Sequence, residues 1–269
     1  MADFSPPVAA PGHTGPTPWQ RLRRDAPWWL LPLTVVSVLG GFTIYGTWTA
    51  IWGGKADCSL AMYHCGPYLS PFYSPQTGNF ILPAPFNSPA LWILPIPLLF
   101  RATCYYYRKA YYRSFFWDPP ACMVGELRHR NYKGETRFPL ILNNLHRFAM
   151  YAATIVVAFL WVDAVAAFYY NGHFGVGLGT AIMVINVVLL SGYSFSCHSL
   201  RHLVGGSLDC YTGSRAGNLR FRAWRFVTTL NERHPMYAWL SLFSVVITDV
   251  YIRLLMHGVL TDPHIGFGS

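Results

Sequence analysis

Five apolar stretches, each about 20 residues or longer, dominate this chain: about 28–52, 89–107, 147–170, 176–200 and 235–257. A run of that length spans the hydrocarbon core of a bilayer as a helix. Lipid offers the backbone no hydrogen-bond partner, so a spanning segment must bond internally, as helices and closed barrels do. The spacing predicts an all-α integral membrane protein, a bundle of five transmembrane helices. Composition agrees: 53% of residues are hydrophobic and 12% charged, where a soluble domain carries about a quarter charged. The first stretch follows Arg21, Arg23 and Arg24, as the core of a signal peptide would. It is too long for one and lacks a small-residue cleavage site, so it reads as a retained helix.

The charges orient the bundle. Eighteen of the twenty Lys and Arg fall before the first span, in the 101–147 segment or in 201–233; only Lys55 and Arg253 fall on the other side. The positive-inside rule then puts the N-terminus in the cytoplasm and the C-terminus outside, in a multi-pass protein of the cell membrane. The net charge of +9 has this topological origin. It suits anionic lipid headgroups or an acidic protein partner, and nucleic-acid binding is not expected. Residues 1–26 read as a cytoplasmic tail, disordered over its Pro- and Gly-rich start, 27–262 as the membrane domain and 263–269 as an outer tail. The outer loop of about 53–88 is long enough to pack as a lid, and the basic, aromatic segment 108–146 as a docking surface.

Topology sorts the cysteines. Cys58 and Cys65 share the outer loop in an oxidising compartment, which predicts a disulfide. Cys104, Cys122, Cys197 and Cys210 lie on or near the reducing side. There the sequence reads Ser196-Cys-His-Ser-Leu-Arg-His202. His198 and His202, four apart, share a helix face and can grip one metal centre. Such groups are expensive at membrane depth and read as function. Cys104 falls in the same stratum, and Cys122 follows a Pro-Pro turn that can fold back to it. Cys104, Cys122, His198 and His202 are therefore the candidate ligands. Two thiolates and two imidazoles suit a tetrahedral zinc or a Rieske-type [2Fe-2S] cluster. Cys210 is an alternative to either cysteine, and Cys197, about 100° from His198, reads as packing.

Other polar groups carry weaker signals. His146-Arg147 opens the third span, where it could bind quinone, ligate iron or anchor the helix, with Asn143 as a cap. His129 and His234 read as surface residues. Asp249 and Arg253, four apart, can pair at the outer end of the fifth span, with Asp163 at similar depth. The aromatic run Tyr105–Trp117 reads as an interfacial belt.

The segment Phe195-Ser-Cys-His-Ser-Leu-Arg-His-Leu-Val-Gly-Gly206, with Cys104…Cys122 and the five spans, resembles the membrane anchor of actinobacterial-type succinate dehydrogenases. The resemblance runs from about residue 27 onward. It implies partnership with a flavoprotein subunit and an iron–sulfur subunit, and electron delivery to a lipid quinone of the menaquinone class. It also implies a membrane-embedded Rieske-type [2Fe-2S] cluster held by Cys104, Cys122, His198 and His202. Other five-helix anchors carry haem b, which here would use His146 with His198 or His202 as axial ligands. A scaffold without a redox centre is the alternative of another class. The chain lacks a Gly-rich flavin fingerprint, so it is not expected to oxidise succinate itself.

Overall fold

The computed structural model describes residues 27, 29–52, 67–75, 89–115, 140–206 and 215–267. Helix α1 (Leu30–Ile51) is apolar all round and buries only Val35, Thr49 and Ala50. A helix solvated by lipid on most sides has no reason to confine its apolar residues to one stripe. The second apolar stretch is broken into α2 (Pro89–Ile93), α3 (Pro95–Thr103) and α4 (Tyr105–Phe115). Pro95 restarts the helix at its first position, where a missing N–H costs nothing. Cys104 stands extended at φ −66° and ψ 128° and separates α3 from α4. The one continuous helix expected over 89–107 is therefore a three-part rod.

A 3₁₀ turn, Leu140–Leu145, leads into α5 (His146–Ala166). Leu145, not Asn143, holds the N-cap position, and Asn143 is buried with its Nδ2 unpartnered among the described residues. Helix α6 (Leu178–Phe195) follows, then α7 (His198–Gly205), α8 (Arg215–Glu232) and α9 (His234–Met256). Among the described residues, four helical segments are long and apolar enough to cross a membrane: Leu30–Ile51, Ile141–Ala166, Leu178–Phe195 and His234–Met256. The segment Ala90–Thr103 is apolar but shorter. His198 and His202 do not extend the fourth span, as the sequence suggests. Cys197, at φ −63° and ψ 139°, ends one helix and starts the next.

The purely helical expectation also gives way to a small sheet. β1 (Tyr169–Tyr170), β2 (His173–Gly177) and β3 (His264–Gly266) form an antiparallel sheet in that order. Asn171 and Gly172, at φ 49° and 81°, make the β1–β2 turn. Asn-Gly meets the positive φ that a tight hairpin requires at both positions.

Helix α6 lies between α5 and α9, and these three form the packed centre. At the end bearing the sheet, Asp249 is fully buried and bonded to Arg253 Nε at 2.9 Å, to Tyr45 Oη and to Ser70 Oγ. The ion pair read from the i, i+4 spacing thus ties α9 to α1 and to the 67–75 segment. Asp163 Oδ2 is buried and unpartnered among the described residues. At the opposite, basic end, α8 clamps α7. Arg220 donates to the carbonyls of Val204 and Gly206, and Arg201 Nε to Thr228 Oγ1.

Candidate functional site

Near the basic end, the two breaks in the helices meet the starts of two others. Cys104 and Cys197, 3% and 1% exposed, occupy the extended joints α3–α4 and α6–α7. His146 and His234, 5% and 7% exposed, are the first residues of α5 and α9. A helical Cα–Cβ bond tilts toward the N-terminus, so a side chain at the first position reaches past its own helix. His146 Nε2 lies 3.1 Å from Cys197 Sγ, and His234 Nε2 lies 3.5 Å from Cys104 Sγ. The pairs are neighbours: the two thiols lie within electrostatic reach of each other, as do the two imidazoles.

Each imidazole is oriented from behind by a hydroxyl. Thr103 Oγ1 donates to the Leu99 carbonyl at 2.7 Å and Ser196 Oγ to the Tyr193 carbonyl at 3.1 Å. The same oxygens lie 3.0 Å from His146 Nδ1 and 2.7 Å from His234 Nδ1. Each ring is thereby held with Nδ1 against a hydroxyl and Nε2 facing sulfur. A hydroxyl or carbonyl behind the ring is how metal-binding histidines are usually fixed. Aromatic rings cover both: Phe100 stacks on His146 with centroids 4.9 Å apart, and Tyr193 on His234 at 5.0 Å. Burial pushes the Cys197 thiol up to about 11, so without an electrophile on its sulfur it stays protonated at neutral pH.

Among the described residues, no three His, Cys, Asp or Glu side chains converge on one point that could hold a metal ion. The pattern is instead two thiol–imidazole pairs side by side. Two sulfurs and two ring nitrogens are the kinds of donor that a two-iron cluster of mixed ligation uses.

The residues singled out in the sequence are distributed as follows. Cys104 belongs to this cluster. His198 and His202 lie outside it, exposed on α7, with their Nε2 atoms 3.0 Å apart. The expected face-sharing pair is therefore present, at the rim. Burial, then His202 and Arg201, hold His198 below the ordinary histidine value. Cys122, Cys58, Cys65, Cys210 and His129 lie outside the described residues. Arg147 is exposed, whereas His146 is enclosed behind Phe100. Two sequence readings are corrected: His234 is a buried cluster member and not a surface residue, and Cys197 faces an imidazole and is not plain packing. The signal available in the sequence for both was adjacency, since Cys197 borders the Cys-His motif and His234 opens an apolar span.

A model of the family described as the actinobacterial succinate dehydrogenase subunit SdhC matches residues 30–258. Among solved structures, the chain is similar to one in the Mycobacterium smegmatis Sdh1 complex in the apo form. The two are 42% identical with a TM-score of 0.76, over 89% of this chain and 92% of the other. Comparison with curated proteins gives no match.

Proposed function

This chain belongs to the family of actinobacterial succinate dehydrogenase membrane subunits, and on that premise we propose that it conducts electrons from an iron–sulfur subunit to a lipid quinone. The partners dock at the basic end, which faces the cytoplasm under the positive-inside rule. Succinate is oxidised in the partner subunits. The observation that carries the reading is the buried set of Cys104, Cys197, His146 and His234, with both Nε2 atoms turned toward sulfur. These four would hold a Rieske-type [2Fe-2S] cluster. Bound there, it supplies a one-electron relay whose two neutral imidazoles raise its potential above that of an all-cysteine cluster.

The remaining residues do work the fold itself explains. Thr103 and Ser196 hold the rings in orientation from behind. Phe100 and Tyr193 exclude water, which keeps the local dielectric low. His198 and His202 sit at the cytoplasmic rim, where proton exchange with bulk water is open to them. This ligand set shares Cys104 with the set expected from the sequence and replaces Cys122, His198 and His202.

Low-temperature EPR on the reduced, intact complex tests it. Cys197→Ser and His146→Gln are expected to remove a signal of low average g, while His198→Asn/His202→Asn keeps it. Electron flow from succinate to a water-soluble dye should persist in all three. The reverse pattern would restore Cys122, His198 and His202 as ligands. Absence of any such signal from the unaltered complex, with haem bands in its optical spectrum, would replace the cluster by haem b.

A further inference from the structure

The buried cluster makes no use of the histidine pair on α7. His198 and His202 are both exposed, on the first turn and a half of that helix. Residues four apart share one helix face, but sharing a face does not by itself make two rings converge. Here they do. Their Nε2 atoms lie 3.0 Å apart, with the rings edge to face at 88° and their centroids 4.5 Å apart. Among the described residues, neither ring makes another hydrogen bond.

The helix that carries the pair is fixed on its other sides. Leu200 packs into the apolar cluster around Cys104 and Cys197. Arg220 holds the carbonyls of Val204 and Gly206. Arg201 is bonded to Thr228 and lies over the Trp224 ring at 5.0 Å, so its guanidinium is committed to α8 and not to the imidazoles. The two nitrogens are therefore presented to solvent from a rigid element.

Their separation suits a metal ion. Imidazole nitrogen binds a divalent transition metal at about 2.0–2.1 Å. Two nitrogens 3.0 Å apart then subtend about 95° at the ion, close to the cis angle of a square-planar or octahedral centre. A tetrahedral ion needs a few tenths of an ångström more, which a small ring rotation supplies. Imidazole selects zinc, nickel or copper, whereas magnesium and calcium take oxygen ligands. The placement also matters to the buried cluster. His198 follows Cys197 directly and lies within electrostatic reach of His146 and His234.

We propose that His198 and His202 form a second metal site, a two-imidazole chelate for a divalent transition ion of the zinc kind, which brakes electron exit from the buried cluster by its charge. Binding stands on the pair alone; the brake rests on the electron-conducting reading above. Water completes the coordination. A bound ion adds two positive charges at the rim, which favour the reduced cluster and raise its potential. Passing the electron onward then becomes less favourable. Zinc itself takes no electron, so the ion acts only through its field.

Zn²⁺ titration of the intact complex in metal-free buffer, with free ion read by a chromophoric indicator, tests the site. His202→Asn is expected to weaken one bound zinc by about tenfold or more, since even losing a group behind a ligand costs that much. His198→Asn/His202→Asn removes that zinc altogether. His202→Cys, which returns a zinc donor to the position, restores it. His173→Asn, at an exposed histidine of the β1–β2 hairpin, leaves it unchanged. The brake is read from a redox titration of the cluster's EPR signal. Zinc raises the midpoint potential and slows quinone reduction in the unaltered complex, with the dye-linked rate unmoved, and does neither in the double variant. Equal zinc binding by the unaltered complex and the double variant overturns the site. Zinc held by the pair with an unmoved potential overturns the brake. A missing EPR signal in the unaltered, zinc-free complex overturns the electron-conducting reading and the brake with it, while the binding comparison still decides the metal site.

Discussion

At the scale of single residues, the hydroxyls behind two imidazoles decide how the rings of the buried cluster are oriented. Ser196→Ala removes the hydroxyl behind His234 while leaving all four ligands. Under the proposed function, iron should then be retained about 10- to 100-fold less tightly, the usual cost of losing the group behind a ligating histidine. Titration of the purified complex with an iron chelator reads this directly. Asp249 is a different case, because it is structural. It is fully buried with Arg253, Tyr45 and Ser70 around it. Asp249→Ala strands the guanidinium and should cost about 3–5 kcal/mol, seen as a lower unfolding temperature with an unchanged EPR signal. His198 adds a pH dependence. Its folded value lies below that of an unfolded histidine, so the unfolded chain binds the proton more readily. Its contribution is complete above the ordinary histidine range and falls as pH drops through it. His198→Asn should therefore flatten the loss of thermal stability between about pH 7.5 and about pH 5.5. Of these residues, the sequence made Cys104, His198, His202 and the Asp249–Arg253 pair legible. It misread His234, whose neighbours Arg233 and Pro235 suggest a surface turn, although a first-position side chain leans back into the bundle.

At the scale of elements, the breaks matter more than the helices. Cys104 and Cys197 take nearly the same extended conformation, and each lets the following helix change direction so that a thiol turns inward. Neither break is signalled by Pro or Gly at the residue itself, because its backbone conformation is set by packing around it. The Asn171-Gly172 turn is the contrasting case, fixed by local chemistry and visible in the sequence as a short connection. The α6–α9 contact depends on close approach at Gly192, where an added Cβ would lie 2.7 Å from the Tyr237 ring. Gly192→Leu should push these helices apart near His234 at a cost of about 1–3 kcal/mol. Thermal unfolding of the complex measures it, with Gly46→Ala, in open space, as the neutral comparison.

At the scale of the whole molecule, charge sets direction and packing sets the route. Arg201, Arg220, Arg222 and Arg225 gather on α7 and α8 at the end where the cluster lies, and the Asp249 lock holds the other end. Electrons enter at the basic end under the proposed function, a short way from the four ligands. The orientation is checked with an impermeant maleimide on whole cells. Thr261→Cys should react at intact cells, and Ala9→Cys only once the membrane is opened.

The apolar runs determined by themselves that this chain crosses a membrane in helices, and the Lys and Arg distribution determined which way it is expected to face. Both follow from the energetics of lipid, which act on each segment independently. Local spacing likewise determined the pairs His198–His202 and Asp249–Arg253, since residues four apart meet on any helix. What meets Cys104 was decided only by the tertiary structure. Its partner His234 is 130 residues away, and the companion pair His146–Cys197 spans 51. No local periodicity links them; they meet because the starts of α5 and α9 pack against the α6–α7 and α3–α4 breaks.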